Sequence, residues 1–214
     1  MVGHMLRFIK DDKGIMGLTL SQIGLIIATG ILIAAVFSLI FLNDWQRNAE
    51  LKNIATSFSF MVEGMDTRFF ENTTTFRFPD KEYYYNVSVS TEYIVVSAKG
   101  FLDNDLSAKE RFLVRPWPQS NDSPWIGATG LHNFLKNNFG NSGNISDPIK
   151  NVDAVKVYLS IELEGVSTSL ASNPLYIFTN KIVYINKAYV YYDNDGNGVW
   201  DEDDEKQDFI FLYQ

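Results

Sequence analysis

Residues 14–43 carry no formal charge, between Lys13 and Asp44, and residues 18–42 are almost wholly apolar. A bilayer core of roughly 30 Å needs about 20 apolar residues as helix. Residues 15–42 therefore predict a spanning helix with room for tilt. The pattern then turns from continuous to periodic. Leu51, Ile54, Ala55, Phe58, Met61, Val62, Met65 and Phe69 recur at steps of three and four, with Arg47, Glu50, Lys52, Asn53, Ser57, Glu63 and Asp66 largely between them. That is the stripe of an amphipathic helix. Residues 43–70 contain no proline and a single glycine. The two patterns thus predict one helix of about 50 residues, on the order of 75 Å long, with its amphipathic extension at 43–72.

A different period follows. Tyr83, Tyr85, Val87 and Val89 alternate with Tyr84, Asn86, Ser88 and Ser90, which predicts a strand that forms a hairpin with residues 93–98. Residues 111–115 are a further candidate strand, ended by Pro116 and Pro118. Residues 153–164 give the clearest alternation: Val155, Val157, Leu159, Ile161 and Leu163 against Lys156, Tyr158, Ser160, Glu162 and Glu164. Residues 181–185, 187–192 and 208–213 complete the predicted strands. Residues 116–147, rich in Asn, Gly, Ser and Pro, read as a surface insertion with a short helix near 130–139. The expected fold class is α+β. A long N-terminal helix, transmembrane and then amphipathic, packs on an antiparallel sheet or small β-sandwich head at 73–214.

Charge and composition narrow the classes. The chain has 214 residues and a net charge of −8; the leader at 1–14 contributes +1, leaving −9 on the remainder. An acidic head argues against nucleic acid as a partner, because that surface needs clustered Lys and Arg. The absence of cysteine excludes disulfides and thiolate metal sites. Cations before the apolar run predict an N-terminus in the cytoplasm and a C-terminus outside. A cleaved secretory signal would have an apolar region of about 7–15 residues and a small-x-small site after it. Here the run is longer and is followed by Asn43-Asp44-Trp45-Gln46-Arg47, so the segment is expected to be retained.

Lys13-Gly14, Ile15-Met16-Gly17, Leu18-Thr19-Leu20 and the apolar helix with Ala34-Ala35-Val36 together resemble the start of archaeal type IV pilin-like and archaellin-like precursors with a class III signal peptide. The resemblance covers about the first 45 residues. It implies cleavage of the leader by a prepilin-type membrane peptidase between Gly14 and Ile15, with Gly17–Leu18 as the alternative. It also implies a pilin-like fold and assembly of the apolar helices into an extracellular filament for adhesion or motility. The partners implied are further copies of the chain or related pilin-like subunits. Gln22 stands where bacterial pilins carry a glutamate, so the resemblance brings no salt bridge at that position. Small residues favour close helix packing, and Gly24 and Ala28, like Gly30 and Ala34, are four apart. Two other readings accompany this one. The first is a membrane-anchored accessory pilin-like protein that binds the cell envelope. The second is an anchored calcium-dependent adhesion or ligand-binding domain that does not polymerise.

The sharpest local motif is the acidic stretch at 193–204. Asp193, Asp195, Asn197, Val199 (through its carbonyl), Asp201 and Asp204 fall at the ligand positions of a twelve-residue calcium loop, with Gly198 at the turn. The spacing resembles calcium loops of the dockerin and thrombospondin-repeat kind. It predicts a structural Ca²⁺ that ties the last two strands together; the plain alternative is an acidic hairpin tip. Asn-x-Ser/Thr occurs at Asn72, Asn86, Asn121 and Asn144, which are candidate glycan sites on an exported protein. No catalytic motif is present. His4 lies in the leader, His132 reads as a surface residue, and Glu162 and Glu164 read as the solvated face of a strand, so no enzymatic activity is expected.

Overall fold

The computed structural model describes the backbone of residues 12–214 and the side chains of residues 19–214. Most of the leader therefore lies outside the described residues, as do the side chains of Lys13, Gly14 and Ile15. The chain divides into two compact units, residues 1–46 and 47–214. Helix α1 (Asp12–Asp66) runs through both.

In the first unit α1 is apolar and bare. Leu25, Ile31 and Phe41 are 69%, 66% and 72% exposed. In the second unit α1 becomes one-sided, as its stripe predicts. Leu51, Ile54, Ala55, Phe58, Val62 and Met65 are buried, whereas Met61 and Phe69 are exposed. The helix stops at Asp66, short of the expected end, so Phe69 lies beyond it.

The stripe is covered by two four-stranded sheets. The first has the order β1-β7-β8-β5 and the second β4-β3-β2-β6. The strands are β1 (Asn72–Arg77), β2 (Tyr85–Val89), β3 (Tyr93–Lys99), β4 (Asp105–Arg111), β5 (Pro116–Pro118), β6 (Leu175–Ile177), β7 (Ile182–Tyr191) and β8 (Lys206–Tyr213). All pairings are antiparallel except β5 with β8. The expected β2–β3 hairpin is present, with Val87 opposite Val96. One core joins the α1 stripe to residues of both sheets, including Val87, Ile94, Val96, Val183, Ile185, Ile210 and Leu212. Phe58 stacks on Phe78 and meets Phe76 edge-on.

The first sheet is buried on its other face too. Strand alternation sends Ala188, Val190, Phe209 and Phe211 to that side. There they join Trp125, Leu131 and Leu135 of α2 (Gly127–Phe139) and its approach with Val155, Leu159 and Leu163 of α3 (Val152–Ser172). Residues 153–164 are therefore helix and not the predicted strand. Val155, Leu159 and Leu163 are four apart and share one helical face. The intervening Val157 and Ile161 are 59% and 64% exposed. Every second apolar position of an apparent strand had the spacing of a helix.

Three further expectations are corrected. Residues 116–147 are no surface insertion, because they supply β5, α2 and much of this second core. The strand placed at 111–115 ends at Arg111, and the prolines expected to terminate it form β5. Proline is tolerated in this strand because it lies at the sheet edge. The two short strands at 181–192 are one. Asn186, which looked like a break, is a buried bridge. Its Nδ2 donates to Asn72 O at 3.2 Å and Thr73 Oγ1 at 2.8 Å, and its Oδ1 accepts from Ala128 N at the start of α2. Gly127 adopts φ +63° beside it, where a Cβ would lie 3.0 Å from the Tyr213 ring.

Candidate functional site

Among the described residues α1 is the helix long and apolar enough to cross a membrane, and its most apolar 18-residue window is wholly exposed. Its composition explains this. An uncharged run satisfies its backbone within the helix and offers only apolar side chains outward, which suits a bilayer core. Cβ atoms built at Gly24 and Gly30 meet nothing within 4 Å.

The end of α1 is held by the head. Lys187, buried in β7, donates from Nζ to Asp66 O at 2.5 Å and pairs with Asp208 at 3.1 Å. It satisfies a helix-terminal carbonyl while placing a cation at the negative end of the helix dipole. Two residues on, the Tyr189 hydroxyl donates to Arg68 O at 2.6 Å. Earlier in the helix, Glu63 Oε1 accepts from Leu113 N at 3.1 Å.

The β7–β8 connection carries the acidic loop. Asp193 is 2% exposed, and its two carboxylate oxygens accept from Gly196 N at 2.8 Å and Gly198 N at 2.9 Å. Both glycines have positive φ, +77° and +85°, a region other residues enter at a cost. Asp204 accepts from Asn194 N and Asp201 N. Asp193, Asp195 and Asp204 thereby offer carboxylate oxygens within 4.8 Å of one another. Asn197 is turned to Asp195 and Val199 N, and Asp201 accepts from Asp203 N. Three of the six sequence positions converge; the Val199 side chain points to solvent at 63% exposure. Three clustered hard oxygens on a glycine-enabled turn have the chemistry of a Ca²⁺ site, and equally that of an acidic turn held by its own amides.

His132 is not a surface residue. Nδ1 lies 2.8 Å from Ser142 O and Nε2 2.9 Å from Glu71 Oε1. Ser142 O and an ionised Glu71 carboxylate are both acceptors, an arrangement that favours the protonated ring, in which both nitrogens donate. Burial pushes His132 down, but the Glu71 and Ser142 hydrogen bonds and the Glu71 charge together hold it above its ordinary value. Burial likewise opposes ionisation of Glu71, and the bonds from His132 and Tyr189 N outweigh it and keep the carboxyl low. Nothing in the local sequence marks either residue.

Glu162 and Glu164 stand on α3 and line separate grooves, one with Ser120 and Ser169, the other with Arg115 and Lys156. They form no carboxylate pair. Asn86 and Asn121 are exposed. Asn72 Oδ1 accepts from Thr73 N, and Asn144 Oδ1 caps Ser146 N and Asp147 N. His4 lies outside the described residues. Comparison with protein-family models, with curated proteins and with solved structures finds no match to this chain.

Proposed function

We propose that the chain is the structural subunit of a type IV pilus-like surface filament, assembled through its apolar helix after the leader is removed. The observation that carries the reading is α1 itself. One helix is bare and uncharged over residues 19–42 and buried along a stripe in the head over residues 51–65. A helix of this kind exchanges lipid for sister helices at small cost, since both surroundings are apolar. Trp45, 65% exposed, follows the apolar run where aromatic residues favour the bilayer interface. Cells making the chain are expected to shed filaments containing it, with a mature N-terminus at Ile15 by mass spectrometry. A cleaved chain absent from filaments would favour the accessory role, and an intact leader with the protein confined to the membrane fraction would favour the anchored domain that does not polymerise.

The convergence of Asp193, Asp195 and Asp204 supports a structural Ca²⁺ in the same head. Extracellular modules bind at about 10⁻⁴–10⁻³ M, so 10 mM Ca²⁺ would add roughly 1.4–2.7 kcal/mol. Denaturant unfolding with calcium and with chelator tests this. An equal midpoint in the two, in the wild type as in Asp193→Ala, would sink it.

A further inference from the structure

The end of the head nearest in sequence to the apolar run carries an apolar tip that the filament reading does not use. Arg47 opens the second unit. Its Nη1 donates to Lys99 O at 3.0 Å, and its guanidinium lies over the Tyr83 ring, 5.0 Å from the centroid. Tyr83 in turn donates to Glu50 at 3.0 Å. The β3–β4 hairpin tip and the start of β2 are thus fixed beside Arg47. The tip is a built turn: Gly100 N donates to Asn104 O at 2.8 Å, Asp103 N donates to Gly100 O at 3.2 Å, and Asp103 adopts φ 60°. At its apex Leu102 is 64% exposed, with Phe101 beside it at 59%, and Tyr84 is fully exposed.

We infer that this tip, led by Leu102, rests in the headgroup interface of the same bilayer that holds the apolar helix, an inference that depends on the membrane reading of residues 19–42. Three observations point to a lipid surface. Four residues, 43–46, separate Arg47 from Leu42, the last of the apolar run, and the five steps of chain between them reach at most roughly 18 Å in any conformation. The tip is therefore tethered close to the membrane boundary. Its residues are the mixture that interfaces collect: tyrosine, an apolar apex, and an arginine whose guanidinium lies over an aromatic ring. Its charge selects the lipid. Lys99 pairs with Asp105 at 2.8 Å and Asp103 at 3.8 Å, and with Arg47 bonded to Lys99 O the charges of the tip balance, which suits a zwitterionic surface.

The described residues contain no cysteine, and neither does the whole sequence, so a single introduced thiol reports one place. The full chain would be inserted into phosphatidylcholine nanodiscs at one copy per disc. An environment-sensitive dye would be placed in turn at Leu102→Cys, Val36→Cys and Ser146→Cys. Lipids brominated near the headgroup end of the acyl chain would serve as quencher. At Leu102 the emission is expected to move to shorter wavelength and to be quenched. At Ser146, exposed in the segment that follows α2, neither change is expected. Quenching at Val36 by deeper bromines with Leu102 behaving like Ser146 would overturn the docked tip and leave the membrane helix standing. No quenching at Val36 would overturn both. A change at Leu102 seen only in discs holding two copies would assign the tip to a second chain and overturn the lipid contact.

Discussion

The two halves of α1 share a backbone and differ in almost everything else. Residues 20–42 form helix with almost all their large apolar side chains exposed, because an uncharged apolar run satisfies its own backbone hydrogen bonds wherever it is placed. Residues 51–65 owe their position to neighbours: Leu51, Phe58 and Val62 are fully buried against two sheets. Sequence period alone distinguishes the cases. A continuous run asks for a uniform surrounding, and a stripe asks for a second surface. The head is therefore expected to lose stability on substitution in the buried half, and the exposed half to tolerate it.

The sharpest way to break that contrast is a matched pair of truncations in the full chain in detergent. Phe58→Ala should cost about 3–5 kcal/mol of head stability by denaturant unfolding. Ile31→Ala should stay within about 0.5 kcal/mol. Equal losses would mean that the apolar half is coupled to the head fold. Lys187→Met comes next. It leaves the Asp66 carbonyl without its buried donor and should cost about 1–3 kcal/mol, read as a lower unfolding midpoint and faster amide exchange in the last turn of α1. An unchanged exchange rate there would show that the lysine does not hold the helix end.

A pH titration sharpens the contrast further, since the Glu71–His132 pair belongs to the head alone. His132 is raised above its ordinary 6.5. Its contribution is therefore full below that value and lost as pH rises through the raised one. Glu71 is lowered from 4.5, so its contribution is present above that value and lost as pH falls through the lowered one. Stability from the pair should peak between these limits. Glu71 is partly exposed, so the loss on the alkaline side should be about 1 kcal/mol or less. His132→Gln should flatten that limb. The smallest effect is expected on α3: Ile161→Glu, on its exposed face, should change stability by under about 0.5 kcal/mol. A loss of several kcal/mol would restore the strand reading of residues 153–164.

Much of the fold was legible where one period dominated. The stripe from Leu51 to Met65, the β2–β3 hairpin and the β8 strand follow from spacing. The reading failed where two periods coincide, as on α3, whose residues Val155, Leu159 and Leu163 fit a strand and a helix alike. Length is the better arbiter there, since an uninterrupted stretch of 21 residues far exceeds a usual strand of about 5–6. It failed again at residues 116–147, where Asn, Gly and Ser suggested a loop while Trp125, Leu131 and Leu135 were core. Of the acidic loop, the sequence named Asp193, Asp195 and Asp204, which do converge. It did not foresee that Asn197 and Asp201 would be spent on neighbouring groups. The His132–Glu71 and Lys187–Asp66 contacts join residues more than 60 and 120 positions apart, and no local pattern records such pairs.

That last separation bears on the order of events during synthesis. The N-terminal helix is made first, yet the cation that closes its end and the strand that pairs with β1 arrive only near residue 187. Until then the stripe from Leu51 to Met65 has only β2–β4 and their neighbours to cover it, and contacts of such long range form slowly. The apolar run, by contrast, satisfies its backbone hydrogen bonds within its own helix. On the proposed function, a helix that enters lipid at once, followed by a head that must wait for its last strands, would put membrane insertion before folding and keep the unfinished head tethered while it folds.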